Sequence, residues 1–222
     1  MIAKEIINNA IAPLKTSDKA SFALELMDEY KVSHLPIVNN IEFLGLISYS
    51  DIFNHDMINE PIGNHSLLLA DSISYCIEDQ HIFEIVKLAS SLKLSLIPVL
   101  DLKNNYFGSI TLDKLIYAFS SLFSIETPGG VIVLELSNRD YLLTQIAQIV
   151  ESNNAKILSL FVSSNPDSTK LEVTIKINKI DITQILQTFT RYNYSIKSSF
   201  SEIEPFENLK DRYDSLMRYL NV

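Results

Sequence analysis

A hydroxyl followed three residues later by a carboxylate stands at Ser48 and Asp51, inside Gly45-Leu46-Ile47-Ser48-Tyr49-Ser50-Asp51. A near copy, Gly108-Ser109-Ile110-Thr111-Leu112-Asp113-Lys114, lies 63 residues downstream. Both follow an apolar run that contains a proline: His34-Leu35-Pro36-Ile37-Val38, and Leu96-Ile97-Pro98-Val99-Leu100. At a strand-to-helix turn a serine or threonine and an acidic residue cap free backbone N–H groups, and the preceding glycine lets a chain or a ligand approach the backbone closely. Capping alone explains an isolated match. It does not explain why the motif, with its proline run, occurs twice.

The elements around the motif repeat as well, and self-similarity at a fixed spacing governs how the rest is read. Ala20, Ala23, Leu24 and Met27 fall on one helical face within 18–31, and Ile82, Ile85, Val86 and Ala89 do the same 62 residues on. Each helix is followed by the proline strand, then a turn at Asn39-Asn40 or 101–105, a strand (42–47 or 106–110), and a helix (49–53 or 112–119). Each repeat therefore reads as strand, helix, strand, strand, helix, with repeat one about 1–60 and repeat two about 61–125.

Length and composition bound what surrounds the repeats. A chain of 222 residues, 47% apolar and 20% charged, is globular and long enough for more than one core. No apolar run approaches the roughly 20 residues that cross a bilayer. Met1–Ala12 carries Lys4 and Glu5 within its apolar pattern, unlike a signal peptide, so the expected location is cytoplasmic. The net charge of −9 argues against nucleic acid. All four arginines (Arg139, Arg191, Arg212, Arg218) follow Thr127-Pro128-Gly129-Gly130, a breaker cluster chosen as the domain boundary near residue 126. Cys76, the lone cysteine, reads as a core residue. His34, His55, His65 and His81 lack the spacing of a zinc site, and no metal is assigned.

The duplicated segment resembles a pair of CBS domains (a Bateman module) over roughly 1–125, through Val32-Ser33-His34-Leu35-Pro36-Ile37-Val38 with Gly45–Asp51 and their second copies. The resemblance implies two clefts for adenosine-containing ligands: AMP, ADP, ATP or S-adenosylmethionine. The aspartate would hold the ribose, because a carboxylate accepts two hydrogen bonds from a vicinal diol. It implies a first cleft of Leu46, Ser48 and Asp51, walled by Leu94, Ser95 and Leu96 of the other repeat. The second would use Thr111 and Lys114 with Val32, Ser33 and His34. There Lys114 replaces the diol acceptor, while Asp113 stands about 100° away on the helix and is expected to point elsewhere; that cleft is expected to be weak or empty. Lys31, Lys93, Lys114 and His34 are the cations within reach of a phosphate, in a segment without arginine, which favours AMP, adenosine or S-adenosylmethionine over ATP.

The remainder reads as a ferredoxin-like βαββαβ unit over 130–200. It has a strand at 131–136, a helix at 140–153 and a strand at 155–163, then a turn at Asn165-Pro166-Asp167. A period-two strand follows (Leu171, Val173, Ile175, Ile177), then a helix capped by Asp181 and a strand at 194–199. Its start, with Ser137-Asn138-Arg139-Asp140 between strand and helix, resembles an ACT domain. Such a domain commonly binds an amino acid at that junction, often across a dimer. Tyr141 stands where a glycine is usual, and its ring is expected to fill the site. The tail, 201–222, sets Phe206, Leu209, Tyr213, Leu216 and Leu220 at near-heptad spacing.

The CBS pair followed by an ACT unit resembles acetoin-utilisation-type regulatory proteins. The expectation is a non-catalytic homodimer that senses an adenosyl ligand and acts on an unknown protein target, with no obligatory cofactor, nucleic acid or membrane. The alternatives are a scaffolding dimer with vestigial clefts, or an amino-acid-responsive ACT regulator. An enzyme is disfavoured because no nucleophile motif, phosphate loop or carboxylate pair is identifiable.

Overall fold

The computed structural model describes residues 1–8, 10–65, 74–164, 169–201 and 217. The chain divides into two units, Met1–Leu122 and Phe123–Val222, each with its own core. The division falls a few residues before the breaker cluster. Phe123 joins the second unit, its ring edge-on to Phe161 at 5.2 Å and its carbonyl accepting from Ser159 Oγ at 3.0 Å.

In the first unit the two repeats agree element by element. The first has α1 (Ala20–Tyr30), β1 (His34–Asn39), β2 (Glu42–Ser48) and α2 (Tyr49–Asn54). The second has β3 (Cys76–Ile77), α3 (Ile82–Leu92), β4 (Leu96–Leu100), β5 (Tyr106–Thr111) and α4 (Leu112–Leu122). Helices α1 and α3 end alike, on Lys31 and Lys93 in the left-handed region at φ 55° and 54°, each donating its N–H back to the helix. The hairpins β1–β2 and β4–β5 share an irregularity at equivalent places, Ile37/Val38 and Val99/Leu100. Their turns use Asn40 and Asn104 at φ 56° and 63°, a conformation that asparagine tolerates better than most residues.

The leading strand is where the repeats part company. In the second, β3 pairs parallel with β4, Cys76 opposite Val99. In the first it shrinks to a single parallel bridge, Leu14 opposite Ile37. The first eight residues serve the other repeat, while Ile11 is buried in the first repeat's core. Ala3 N–H donates to Gln80 O and Asn8 N–H to Ser109 O, and Ala3 is buried in the second repeat's core, with Ile6 and Ile7 against it. A segment that reads as part of repeat one therefore closes repeat two.

The second unit carries β6 (Gly130–Ser137), α5 (Leu143–Ser152), β7 (Ile157–Ser164), β8 (Lys170–Ile177), α6 (Thr183–Arg191) and β9 (Ser195–Phe200). The sheet order is β7-β8-β6-β9, antiparallel throughout, which is the ferredoxin-like arrangement expected from the sequence. Alternate residues of β6 (Ile132, Leu134, Leu136) meet Ile146 and Ile149 of α5 and Ile185 and Phe189 of α6 in one buried cluster. Asp181 Oδ1 accepts the Thr183 N–H at 3.0 Å, the local bond that starts α6. The turn at 165–167 and the apolar positions of the tail lie outside the described residues.

Candidate functional site

Strand β2 delivers Ser48 to the start of α2, and Asp51 sits in the first turn. Ser48 Oγ accepts the Asp51 N–H at 3.1 Å, while Asp51 Oδ2 accepts both the Ser48 N–H at 2.8 Å and its hydroxyl at 2.6 Å. This reciprocal cap satisfies backbone donors that the helix itself cannot. Ser50 Oγ lies 2.8 Å from Ser48 Oγ. Among the described residues the other carboxylate oxygen, Asp51 Oδ1, has no hydrogen-bond partner. The half-buried carboxylate is thus fixed through one oxygen and open at the other.

The β1–β2 register sets His34 opposite Ser48, and His34 connects this corner to the other repeat. Its Nδ1 lies 3.1 Å from Ser33 Oγ and 3.0 Å from Ser95 Oγ, and accepts the Ser95 N–H at 3.2 Å. The Ser33 N–H donates in turn to Ser95 Oγ at 2.8 Å. A backbone N–H can only donate, so Nδ1 carries the lone pair and the ring proton belongs on Nε2. Burial pushes the His34 pKa below the ordinary imidazole value, and the nearby Asp51 charge partly restores it.

This changes how the expected residues group. Strand pairing holds His34 across from Ser48, and the equivalent serines Ser33 and Ser95 meet where the repeats abut, while Ser33 also shares a cavity with Leu112, the neighbour of Thr111. Leu46 packs against both apolar cores. Leu96 is wholly buried in the first repeat's core, so it supports a cleft wall from behind and offers no surface. Val32 and Leu94 are also buried. Ser33, Leu94 and Ser95 line a cavity of about 500 Å³ together with Lys93 and Leu112. Lys31 pairs with Asp28 at 2.8 Å on the surface.

Thr111 and Lys114 share a separate cavity of about 250 Å³ with Tyr30 and Tyr117. Asp113, expected to point elsewhere, lines it too. Among the described residues the Thr111 hydroxyl receives only a long contact from the Lys114 N–H, 3.4 Å, and no carboxylate closes this cap as Asp51 closes the other.

In the second unit a cavity of about 550 Å³ opens where β6 meets α5, lined by Ser137, Arg139, Asp140, Gln145, Lys170 and Tyr194 among others. Tyr141 does not fill it, contrary to expectation: its ring packs against the unit's apolar core. Ser137 Oγ donates to Asp140 Oδ2 at 2.6 Å, and Tyr194 OH donates to Gln145 Oε1 at 2.8 Å. Burial, then the Asp140 charge, raises the Tyr194 pKa and keeps the phenol a donor. Sequence reasoning missed Gln145 and Tyr194, because no local pattern announces a bond across 49 residues.

Cys76 is buried, and its thiol is raised to about 12 by burial, which leaves no thiolate for nucleophilic work. No group of three or more metal-ligating side chains occurs among the described residues, and no helix among them is long and apolar enough to cross a membrane.

Comparison with known proteins matches residues 3–57 to the CBS domain family. The chain is similar to a CBS domain pair/ACT domain protein from Thermotoga maritima, at 16% identity and TM-score 0.48 over 55% of this chain and 98% of that one. It is similar to a putative acetoin utilization protein from Vibrio cholerae, at 17% identity and TM-score 0.48 over 57% and 95%. It is also similar to CBSX2 solved in complex with AMP, at 20% identity and TM-score 0.46 over 54% and 96%. With its capped Ser48–Asp51 turn and its counterpart 62 to 63 residues downstream, the segment 3–57 is identified as a CBS domain.

Proposed function

We propose that the first unit is a non-catalytic, ligand-sensing CBS pair that takes a nucleoside with an intact ribose diol at the Ser48–Asp51 corner. One observation carries the reading: Asp51 Oδ1 has no partner among the described residues while Oδ2 is held by Ser48. A carboxylate anchored in this way keeps its direction and can accept from a diol without first being reorganised. Among the described residues no arginine stands at this corner, and burial disfavours the charged form of His34 there. That favours adenosine, AMP or S-adenosylmethionine over ATP, whose phosphates call for several charge-assisted donors. The Thr111–Lys114 cavity lacks such an acceptor at the equivalent position and is the weaker of the two.

Thermal shift of the full chain against adenosine, AMP, ATP and S-adenosylmethionine tests this, since a ligand that prefers the folded state raises the melting temperature. A rise with the first two that vanishes in Asp51→Ala supports the reading; no rise with any of the four at millimolar concentration removes it. The regulatory output then passes to another protein, with a homodimer as the working assembly.

A second reading concerns the other unit, which we propose as ACT-type. Its cavity sets Arg139 and Lys170 near Glu135 and Asp140, charges of both signs that suit an amino-acid zwitterion. Titration with the free amino acids, on the native chain and on Arg139→Ala, decides it.

A further inference from the structure

The two repeats also differ at one pair of equivalent positions. Leu96 is an apolar core residue of the first repeat, whereas its counterpart His34 bonds across to the second. At the equivalent serines Ser33 and Ser95 the repeats are bonded through one backbone N–H in each direction: Ser33 N–H to Ser95 Oγ, and Ser95 N–H to His34 Nδ1. Half of this crossing therefore depends on a nitrogen that accepts only while it carries no proton. His34 also stands across the strand pair from Ser48, whose N–H and hydroxyl hold Asp51.

We infer that the His34 imidazole is a proton-operated latch between the repeats, holding the Asp51 corner in shape while neutral and releasing it when protonated. A proton on Nδ1 turns the acceptor into a donor that faces the Ser95 N–H. That N–H loses its acceptor in a partly buried place, at part of the desolvation cost a fully buried donor would carry. Asp51, on α2, is the charged group whose field reaches the ring; Ser33, Ser48 and Ser95 around it carry no charge. The new imidazolium is drawn towards the Asp51 carboxylate, the group proposed to receive the ribose diol, and competes with it. Acidification thus loosens the crossing and occupies the acceptor in one step. Partial burial of the ring, which lowers its pKa, puts the transition on the acid side of the usual imidazole range.

The effect on a ligand rests on the nucleoside reading; the effect on the crossing does not. The test uses the ¹⁵N-labelled full chain, following the His34 ring nitrogens and the Ser95 amide as pH falls from about 7.5 to about 5, the range in which histidine titrates. The latch predicts an Nε2–H tautomer at the upper end and a Ser95 amide shift with the same midpoint as the ring. In His34→Asn, whose Oδ1 accepts where Nδ1 did but cannot titrate, the Ser95 amide stays in place. A Ser95 amide indifferent to the ring, or one that still titrates in His34→Asn, overturns the latch. Adenosine, which has no group titrating in this range, is the ligand probe: it loses affinity on acidification of the native chain and not of His34→Asn. If adenosine binds at no pH, the nucleoside reading falls and the shared midpoint still decides the latch. If adenosine binds equally at both ends of the range, the latch does not regulate the site.

Discussion

Asp51 performs two tasks that substitution can separate. Asp51→Ala removes the acceptor for the Ser48 N–H and hydroxyl, bonds of 2.8 and 2.6 Å, and with it one side of the reciprocal cap. Loss of a cap costs about 0.5–2 kcal/mol. Helix α2 has only six residues, and half-buried Asp51 is its one acidic first-turn group, so a value near 1 kcal/mol is expected. For a domain of this size that lowers the melting temperature by roughly 3–5 °C. Asp51→Asn keeps an oxygen for the Ser48 N–H, so less than half of that loss is expected. Ligand response should divide the two variants differently. Saturating adenosine at about 100 times its dissociation constant stabilises the native chain by about 2.7 kcal/mol, and both variants should lose most of that increment because both lack the charged acceptor. Thermal unfolding with and without adenosine reads all of this in one assay. An unchanged melting temperature in Asp51→Ala refutes the cap. A full adenosine shift in Asp51→Asn refutes the charged-acceptor argument.

Leu96→Ala should cost about 2–5 kcal/mol in denaturant unfolding, as expected of a fully buried leucine, and more than Leu46→Ala, whose side chain is only partly buried. Cys76, buried and with its thiol raised to about 12, should resist thiol reagents at pH 8 in the native chain and react on unfolding; rapid native labelling would contradict its placement. His34 has a lowered folded-state pKa, so its contribution to stability is complete above the ordinary value of 6.5 and is lost as pH falls below it. Urea titrations of native chain and His34→Asn should diverge on that acid side and run parallel above it. Gly130→Ala would bring a methyl within 2.4 Å of Ile182 Cγ2, and should destabilise the second unit by its clash with the α6 approach.

Much of the architecture was legible because its signals are local. The 62-residue recurrence of Ala20, Ala23 and Met27 in Ile82, Ile85 and Ala89 marked α1 and α3, and those are the residues the structure buries. The period-two run of Leu171 to Ile177 gave β8, and the element order of the second unit followed. Three features could not be read, each because a distant partner decides it. Periodicity does not say which repeat will take the segment before Leu14, and Ala3 and Asn8 went to the second. The resemblance set His34 and Ser33 across from Thr111, and nothing in the sequence told that the β1–β2 register would also set His34 opposite Ser48 or that Ser33 would bond to Ser95. Tyr141 read as a plug because a bulky ring replaces an expected glycine, yet the apolar core of the second unit offers that ring a better place, and the cavity beside it remains.

The ligand reading proposed for the first unit depends on a sugar diol meeting the open oxygen of Asp51. Calorimetric titration of the full chain with adenosine, 2′-deoxyadenosine and 3′-deoxyadenosine isolates that contact, because the base and the remaining sugar are unchanged. A hydrogen bond to a charged acceptor is worth about 1.5–3 kcal/mol, so each deoxy analogue should bind about tenfold more weakly or worse. Equal affinities for all three would show that Asp51 does not read the diol.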